Sequence, residues 1–285
     1  MLWAFVAVAW SVPEGFWEVW GDGQAEVAAY AVTVPRYGQL RRGEMVVVTV
    51  TETFTRGQRV KSDGGHDDEF PVVKQHVMLD FQTGIYDYDT ATSTFVPIDG
   101  AVPTKVAFSA QEWCGSTADV WVLDGPTSRW DAHSYFDGEG DRRHRLPVPT
   151  GAVVADALPW LVRGLAGEVP EGDHPYMAPL RDLRFHHVDP SWGQVTLSKS
   201  GQETVVVPAG SFEVDVVSAA VSGGTRTRYF VERGPHRRVV RIASDDGFDA
   251  MLTGVNRSAY WTQNGEGAEA GRVALGLPAS PWHAP

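Results

Sequence analysis

The chain has 285 residues, 43% hydrophobic and 21% charged, which excludes a disordered protein and leaves room for one large β domain or two smaller ones without disulfide staples. A net charge of −12 disfavours a phosphate-backbone partner, so no nucleic acid is expected. A single cysteine excludes an intramolecular disulfide and a cysteine-rich zinc site.

Residues 1–15 hold an apolar run, Leu2 to Val12, of signal-peptide length, with Ala7-Val8-Ala9 as a cleavage site. The run is too short to span a bilayer, so no transmembrane helix is expected. No Lys or Arg occurs before Arg36, so the stretch reads as a truncated signal segment or as a buried first strand. The export pattern places the protein in the periplasm or cell envelope.

Residues 16–263 read as a single β-rich domain. After a short lead-in at Phe16-Trp17, alternation through Val27, Ala29 and Val32 gives a first strand, closed by Pro35-Arg36-Tyr37-Gly38. The β-branched run Glu44 to Thr55 is the clearest strand of the first half. A polar loop at 62–69 follows, then strands from Phe70 to Phe81, Ile85 to Asp89, Thr92 to Pro97, 104–113, 119–123 and 128–136. Strands at this spacing, punctuated by Gly, Pro and Asp, indicate an antiparallel meander. The basic run Arg142-Arg143-His144-Arg145 follows three acidic residues and reads as a self-neutralising loop.

From 152 to 166 the apolar residues recur at three and four, the helix period, although Pro159 forbids one uninterrupted helix. The segment 167–179 reads as a loop and 180–188 as a strand. Strands resume at Gln194 to Ser198 and Thr204 to Val207, followed by three more between the turns at Pro208-Ala209-Gly210, Gly223-Gly224, Gly234-Pro235 and Asp245-Asp246-Gly247. Gly, Ala and Pro dominate 264–285, which reads as a loose C-terminal tail.

Two groups of residues carry a resemblance. The first is Val205-Val206-Val207-Pro208-Ala209-Gly210-Ser211-Phe212, followed by Tyr229-Phe230-Val231-Glu232 and Val239-Val240-Arg241-Ile242; it resembles a domain of unknown function in uncharacterised exported bacterial proteins. The second comprises Phe16-Trp17, Pro35 to Gly38, Phe81 to Tyr88 and Phe108 to Gly115, and is similar to envelope proteins without an established activity, some labelled septum formation inhibitor Maf. Maf proteins proper are α/β pyrophosphatases, whereas this chain is β-rich and lacks a glycine-rich phosphate loop. The resemblance implies a large curved antiparallel sheet, a half-barrel like that of lipoprotein carriers, with a concave face that binds a lipid or other amphipathic ligand or packs on an envelope protein partner. It assigns no catalytic residues.

In Lys105 to Gly115 an alternating β pattern runs into a set of polar groups and the cysteine. Glu112 and Cys114 are the candidate catalytic residues of an alternative hydrolase reading, and a purely structural domain is a further alternative. Tyr86 and Tyr88, with Gln111 and Trp113, place aromatic faces beside polar groups and are candidate ligand-binding residues. Alternation from Val106 puts Glu112 on the apolar face, so either a bulge or a cationic partner such as Arg36 or Lys105 is expected there. The groups His66-Asp67-Asp68-Glu69 and His186-His187 with Asp189 lack metal-ligand spacing, and neither a metal nor a cofactor is expected.

Overall fold

Alternating β-branched and aromatic residues give fifteen strands, and all of them join one open sheet. The computed structural model describes Val12 and residues 15–278, so most of the expected signal segment or first strand at 1–15 lies outside the described residues. A short helix α1 (Phe16–Trp20) precedes an eight-strand meander of β1 (Ala25–Arg36), β2 (Gln39–Thr55), β3 (Glu69–Thr83), β4 (Tyr86–Pro97), β5 (Lys105–Glu112), β6 (Gly115–Asp124), β7 (Thr127–Ser134) and β8 (Asp141–Pro147). A cover segment follows, consisting of β9 (Val153–Val154), a 3₁₀ turn at Ala155–Ala157, α2 (Leu158–Leu161), β10 (Gly172–Met177) and α3 (Leu180–Phe185). The chain then returns through β11 (Gly193–Val207), β12 (Gly210–Val221), β13 (Arg226–Glu232), β14 (Val239–Ser244) and β15 (Asp249–Ser258), and ends in α4 (Ala270–Ala274).

Strand β1 lies near the middle of the sheet, paired with β2 on one side and β15 on the other, so the two meanders form two arms. Among the described residues the sheet ends at β8 on one side and at the two-residue β9 on the other, and only the β9–β10 pair is parallel. The charged run at Arg142 lies in edge strand β8, not in a loop, where Arg143 pairs with Asp131 and Arg142 with Asp189. Charges on an edge strand discourage pairing with another chain.

Register sorts the buried side chains into rows on one face. Glu26, Thr49, Gln75, Thr94, Val106, Trp121 and Trp130 stand opposite one another from β1 to β7, and all are buried. The next rows begin Ala28, Val47, Val77, Thr92 and Tyr30, Met45, Leu79, Thr90. This face is concave. Strands β4 and β13 are separated by five others, and in a flat sheet this set of seven would span roughly 29 Å. Yet Thr90 of β4 and Tyr229 of β13 line the same cavity.

The cover fills the concavity. Pro159 sits in the first turn of α2, where its missing N–H costs nothing, so the helical excursion at 152–166 divides into a 3₁₀ turn and one α-helical turn. Three other segments differ from their expectation. β10 replaces the loop at 167–179, because β11 and β9 supply its backbone partners. Leu180 and Leu183 are buried three apart, so 180–185 forms α3 in place of a strand. The two strands either side of Ser200-Gly201 are one strand, β11, with a register shift at 199–201 where Gly201 takes φ of 115°.

Residues 264–278 likewise are not a loose tail. Leu275 and Leu277 are buried against Ala25, Val27, Val48 and Val50 on the outer face of the sheet. A Cβ on Gly254 would lie 2.7 Å from the Leu275 backbone, so β15 needs glycine where this segment crosses.

One buried ion pair locks the cover in place. The Arg163 guanidinium, just after α2, donates to both Glu26 carboxylate oxygens at 2.8 and 3.1 Å and to the His236 carbonyl at 2.6 Å. Side-chain exposure is 3% for Arg163 and 4% for Glu26. Arg237 returns a bond to the Arg163 carbonyl at 3.0 Å, and Trp20 and Trp160 stack on the guanidinium. Removing one partner strands a buried charge, so Glu26→Ala is expected to lower stability by about 3–5 kcal/mol in a denaturant melt. Glu26→Ala combined with Arg163→Met should recover part of that loss, and equal melts for the single and double variants would show that the pair is not coupled.

Candidate functional site

A cavity of about 170 Å³ lies between the concave face and the cover. The sheet side contributes an apolar patch of Ala28, Met45, Val47, Val77 and Leu79 from the second and third rows, bordered by the polar Glu26, Thr49, Gln75, Thr90 and Thr92. The facing side comes from the cover and the second arm, and mixes Asp156, Tyr176, Arg181, Asp182 and Tyr229 with the apolar Pro159, Val239, Ile242 and Phe248. Four of the lining residues, Arg181, Asp182, Asp246 and Phe248, also line an open groove with Arg36, Tyr37, Leu40 and Phe185, so the cavity opens at the end of the sheet where β1 turns into β2.

Local structure positions the polar groups. Asp156 lies in the 3₁₀ turn, where its Oδ2 accepts the Leu180 N–H at 3.1 Å and its carbonyl accepts the Thr94 hydroxyl at 3.3 Å. It is thus held between β4 and the start of α3. Burial pushes its carboxyl up to about 7, and the Asp182 charge adds to this, against the Leu180 N–H and Arg181. Arg181 bonds Asp182 at 2.8 Å and stacks over Phe248 at 5.0 Å. Tyr176 and Tyr229 both line the cavity, and burial raises both phenols. Gln75 is 4% exposed, with its Nε2 donating to Thr49 Oγ1 at 3.3 Å and its Oε1 without a partner.

Near the mouth lies an aromatic cluster that contains two of the sequence candidates. Tyr88 is 1% exposed, stacked on Phe81 at 4.9 Å and edge-on to Phe185 at 5.5 Å. Its hydroxyl lies 2.7 Å from that of Tyr37 and accepts from Arg36 at 3.1 Å. Arg36 also donates to the Phe185 carbonyl at 2.8 Å, pinning α3 to the sheet. Tyr88 is therefore a floor under the groove, enclosed by other rings, while Tyr86 is half-buried beside it, at 5.8 Å between ring centroids.

The other candidates do not converge on this floor. Gln111 is exposed, on the opposite face of β5 from Phe108 and Ala110. Trp113 and Cys114 form the tip of the β5–β6 hairpin and are both exposed, because Glu112 pairs directly with Gly115. Trp113 is 69% exposed and donates to Asp87 Oδ1 at 2.9 Å. Glu112 keeps the alternation of Val106 and Phe108 without a bulge, and forms no ion pair among the described residues. Its expected partners are used elsewhere: Arg36 on Tyr88 and Phe185, Lys105 on the Arg59 carbonyl at 3.2 Å. Glu112 lies instead beside the Tyr88 hydroxyl. The nearest carboxylate on the neighbouring strand β6, Asp119, stands opposite Phe108, four residues or roughly 13 Å along β5 from Glu112.

The acidic loop at 63–69 satisfies itself. Glu69 accepts from Ser62 and His66, and Asp68 from Gly57. Of the second group, His187 meets Glu139 at 2.7 Å and Asp189 meets Arg142 at 2.6 Å. No cluster of His, Cys, Asp and Glu suited to a metal occurs among the described residues.

Sequence reading missed Asp156, Gln75, Tyr176 and Tyr229. A carboxylate inside the helical period at 152–166 was the one available signal for Asp156. The other three lie on strands or loops that give no sign of which face is enclosed.

Two outcomes follow. Asp156 has a folded-state pKa raised above its unfolded value, so the native state holds an extra proton between about pH 4 and 7, and this contribution to stability is lost as pH rises through about 7. Asp156→Asn is therefore expected to be more stable than the parent at pH 8 by ~1–3 kcal/mol, and the gain should vanish near pH 4; thermal melts across that range check it. Glu112→Ala, without an ion pair to break, is expected to cost under ~1 kcal/mol, and a larger loss would reveal a structural partner for the carboxylate. Compared with known proteins, the chain matches no family model and no curated sequence.

Proposed function

We propose that this is an exported cell-envelope protein that holds an amphipathic ligand on its concave sheet, beneath the cover formed by residues 153–185. The observation that carries the reading is the cavity, in which an apolar patch of the sheet and the polar groups of Asp156, Tyr176, Arg181 and Tyr229 line one space. Protein interiors are normally packed to crystal density. A space left beside enclosed, under-used polar groups is therefore a sign of a binding site.

The volume bounds the ligand. About 170 Å³ is comparable with cavities of roughly 150 Å³ that hold a benzene-sized guest. A compact amphiphile fits beneath the cover, whereas a diacyl lipid requires the cover to lift from the sheet. The ion pair of Arg163 with Glu26 and the bond from Arg36 to Phe185 oppose that lifting.

Native mass spectrometry of protein purified from its host without detergent is expected to show a retained small molecule, released on unfolding. A clean apo mass, together with no thermal stabilisation by small amphiphiles, counts against ligand binding. Export rests on the run from Leu2 to Val12. N-terminal sequencing of the mature protein is expected to begin after Ala9, and recovery of the uncleaved chain from the cytosol would overturn it.

A further inference from the structure

We infer that the cavity selects a small organic cation, an ammonium group on an apolar body of about benzyl size, with the Asp156 carboxylate as its counter-ion. This rests on the ligand-binding reading above and specifies the ligand's chemical class.

The charges of the cavity are unequally engaged. Arg163 and Glu26 neutralise each other through two hydrogen bonds. Arg181 is held by Asp182 and lies over Phe248. Asp246 lies at the exposed mouth, where its Oδ1 accepts the Phe248 N–H. That leaves Asp156. Its Oδ2 has a backbone donor in the Leu180 N–H, and no side-chain cation bonds either oxygen. The groups facing it are Arg181 and Asp182 from α3, Tyr176 from β10 and Tyr229 from β13, and the sheet side contributes the neutral Thr94 of β4. The two α3 charges cancel, so the ionised site has a surplus negative charge.

A second, independent group asks for a donor. Gln75 belongs to the buried row Glu26, Thr49, Gln75, Thr94, in which Glu26 has Arg163 and both threonine hydroxyls take part in hydrogen bonds. Its Oε1 lacks a partner; the Nε1 atoms of Trp121 and Trp130 further along the row do too, but those two residues do not line the cavity. A buried carbonyl left unpaired costs about 1–3 kcal/mol. Gln75 lines the cavity and Thr94, its cross-strand neighbour, touches Asp156, so one guest can approach both groups. An ammonium presents three donors and no acceptor, which matches a carboxylate, an amide oxygen and the electron-rich faces of Tyr176 and Tyr229. An anion would meet Asp156 and Asp182. A neutral guest would leave Asp156 to keep its proton.

Binding is consequently linked to pH. Asp156, at about 7 in the empty protein, must lose its proton to pair with a cation, so affinity rises with pH through that value and levels above it. An alkyl ammonium stays charged throughout this range.

Benzylamine, benzyl alcohol and benzoate share one apolar body and differ in charge, so titrating each into the full-length protein by calorimetry and ligand-observed NMR at pH 6 and pH 8 tests the inference. Benzylamine is expected to bind at least tenfold tighter than the other two at pH 8, and roughly tenfold weaker at pH 6 than at pH 8. Asp156→Asn, which keeps the shape of the side chain, should abolish both the preference and the pH dependence, and Gln75→Leu should weaken benzylamine several-fold. If benzyl alcohol or benzoate binds as tightly as benzylamine at pH 8, or if Asp156→Asn retains the preference, the cation inference is overturned while the cavity remains a ligand site. If none of the three binds, the cation inference and the occupancy of this cavity by a guest of this size both fall.

Discussion

The bidentate pair between Arg163 and Glu26 is the constraint on which the arrangement of the molecule depends. Glu26 stands at the start of β1, the strand shared by both arms, and Arg163 ends the turn that follows α2. The same guanidinium reaches the His236 carbonyl in the β13–β14 connection, so one side chain binds the cover, the central strand and the second arm. Arg238 adds a second cation 3.4 Å from Glu26. A buried pair of this kind contributes little net stability against an apolar substitute, because both ions must leave water. It does impose geometry: the pairing is satisfied only when the cover lies across the concave face in one position.

That position explains why space remains beneath the cover. α3 packs closely through Leu180 and Leu183 on the tryptophan-rich part of the sheet around Trp121 and Trp130, and α2 packs through Trp160 and Leu161 against Trp20 and Val73. Between these two contacts the sheet lines the gap with Ala28, Gln75, Thr90 and Thr92 beside Met45, Val47, Val77 and Leu79. The polar groups that point into the gap are ones a purely structural core would avoid, since each enclosed carboxyl, amide or phenol costs free energy unless it is paired. The cavity and its under-used polar groups thus have a common origin, in a cover anchored at two ends above the concave face.

The aromatic residues divide by position along the strands. Tyr88, Phe81 and Phe185 form an enclosed stack under Arg36, which holds α3 down at the mouth. Trp113 and Tyr37 lie one turn further out, on hairpin tips, and are exposed. The stretch from Gln111 to Gly115 is a tight hairpin with Gln111, Trp113 and Cys114 exposed, because chain reversals expose both backbone and side chains to water.

Alternation along β2, β3, β5, β12 and β13 was legible in the sequence because a half-buried strand repeats every two residues regardless of its partner, and the turns between β11 and β15 carry Gly, Pro and Asp where reversal demands them. Those features determined a mainly β chain with one short helical interruption. The departures, β10 and α3, are short elements whose conformation depends on a partner: β10 has its backbone bonds only because β11 lies beside it, and α3 is helical because Leu180 and Leu183 meet the same apolar floor. The candidate site was illegible for the same reason. Tyr86, Tyr88 and Trp113 are conspicuous as local aromatic and polar combinations, but Asp156, Gln75, Tyr176 and Tyr229 come from four separate elements. They become a set only when the sheet curls and Arg163 finds Glu26, because enclosure is a property of residues far apart in the chain and cannot be expressed in the order of neighbouring ones.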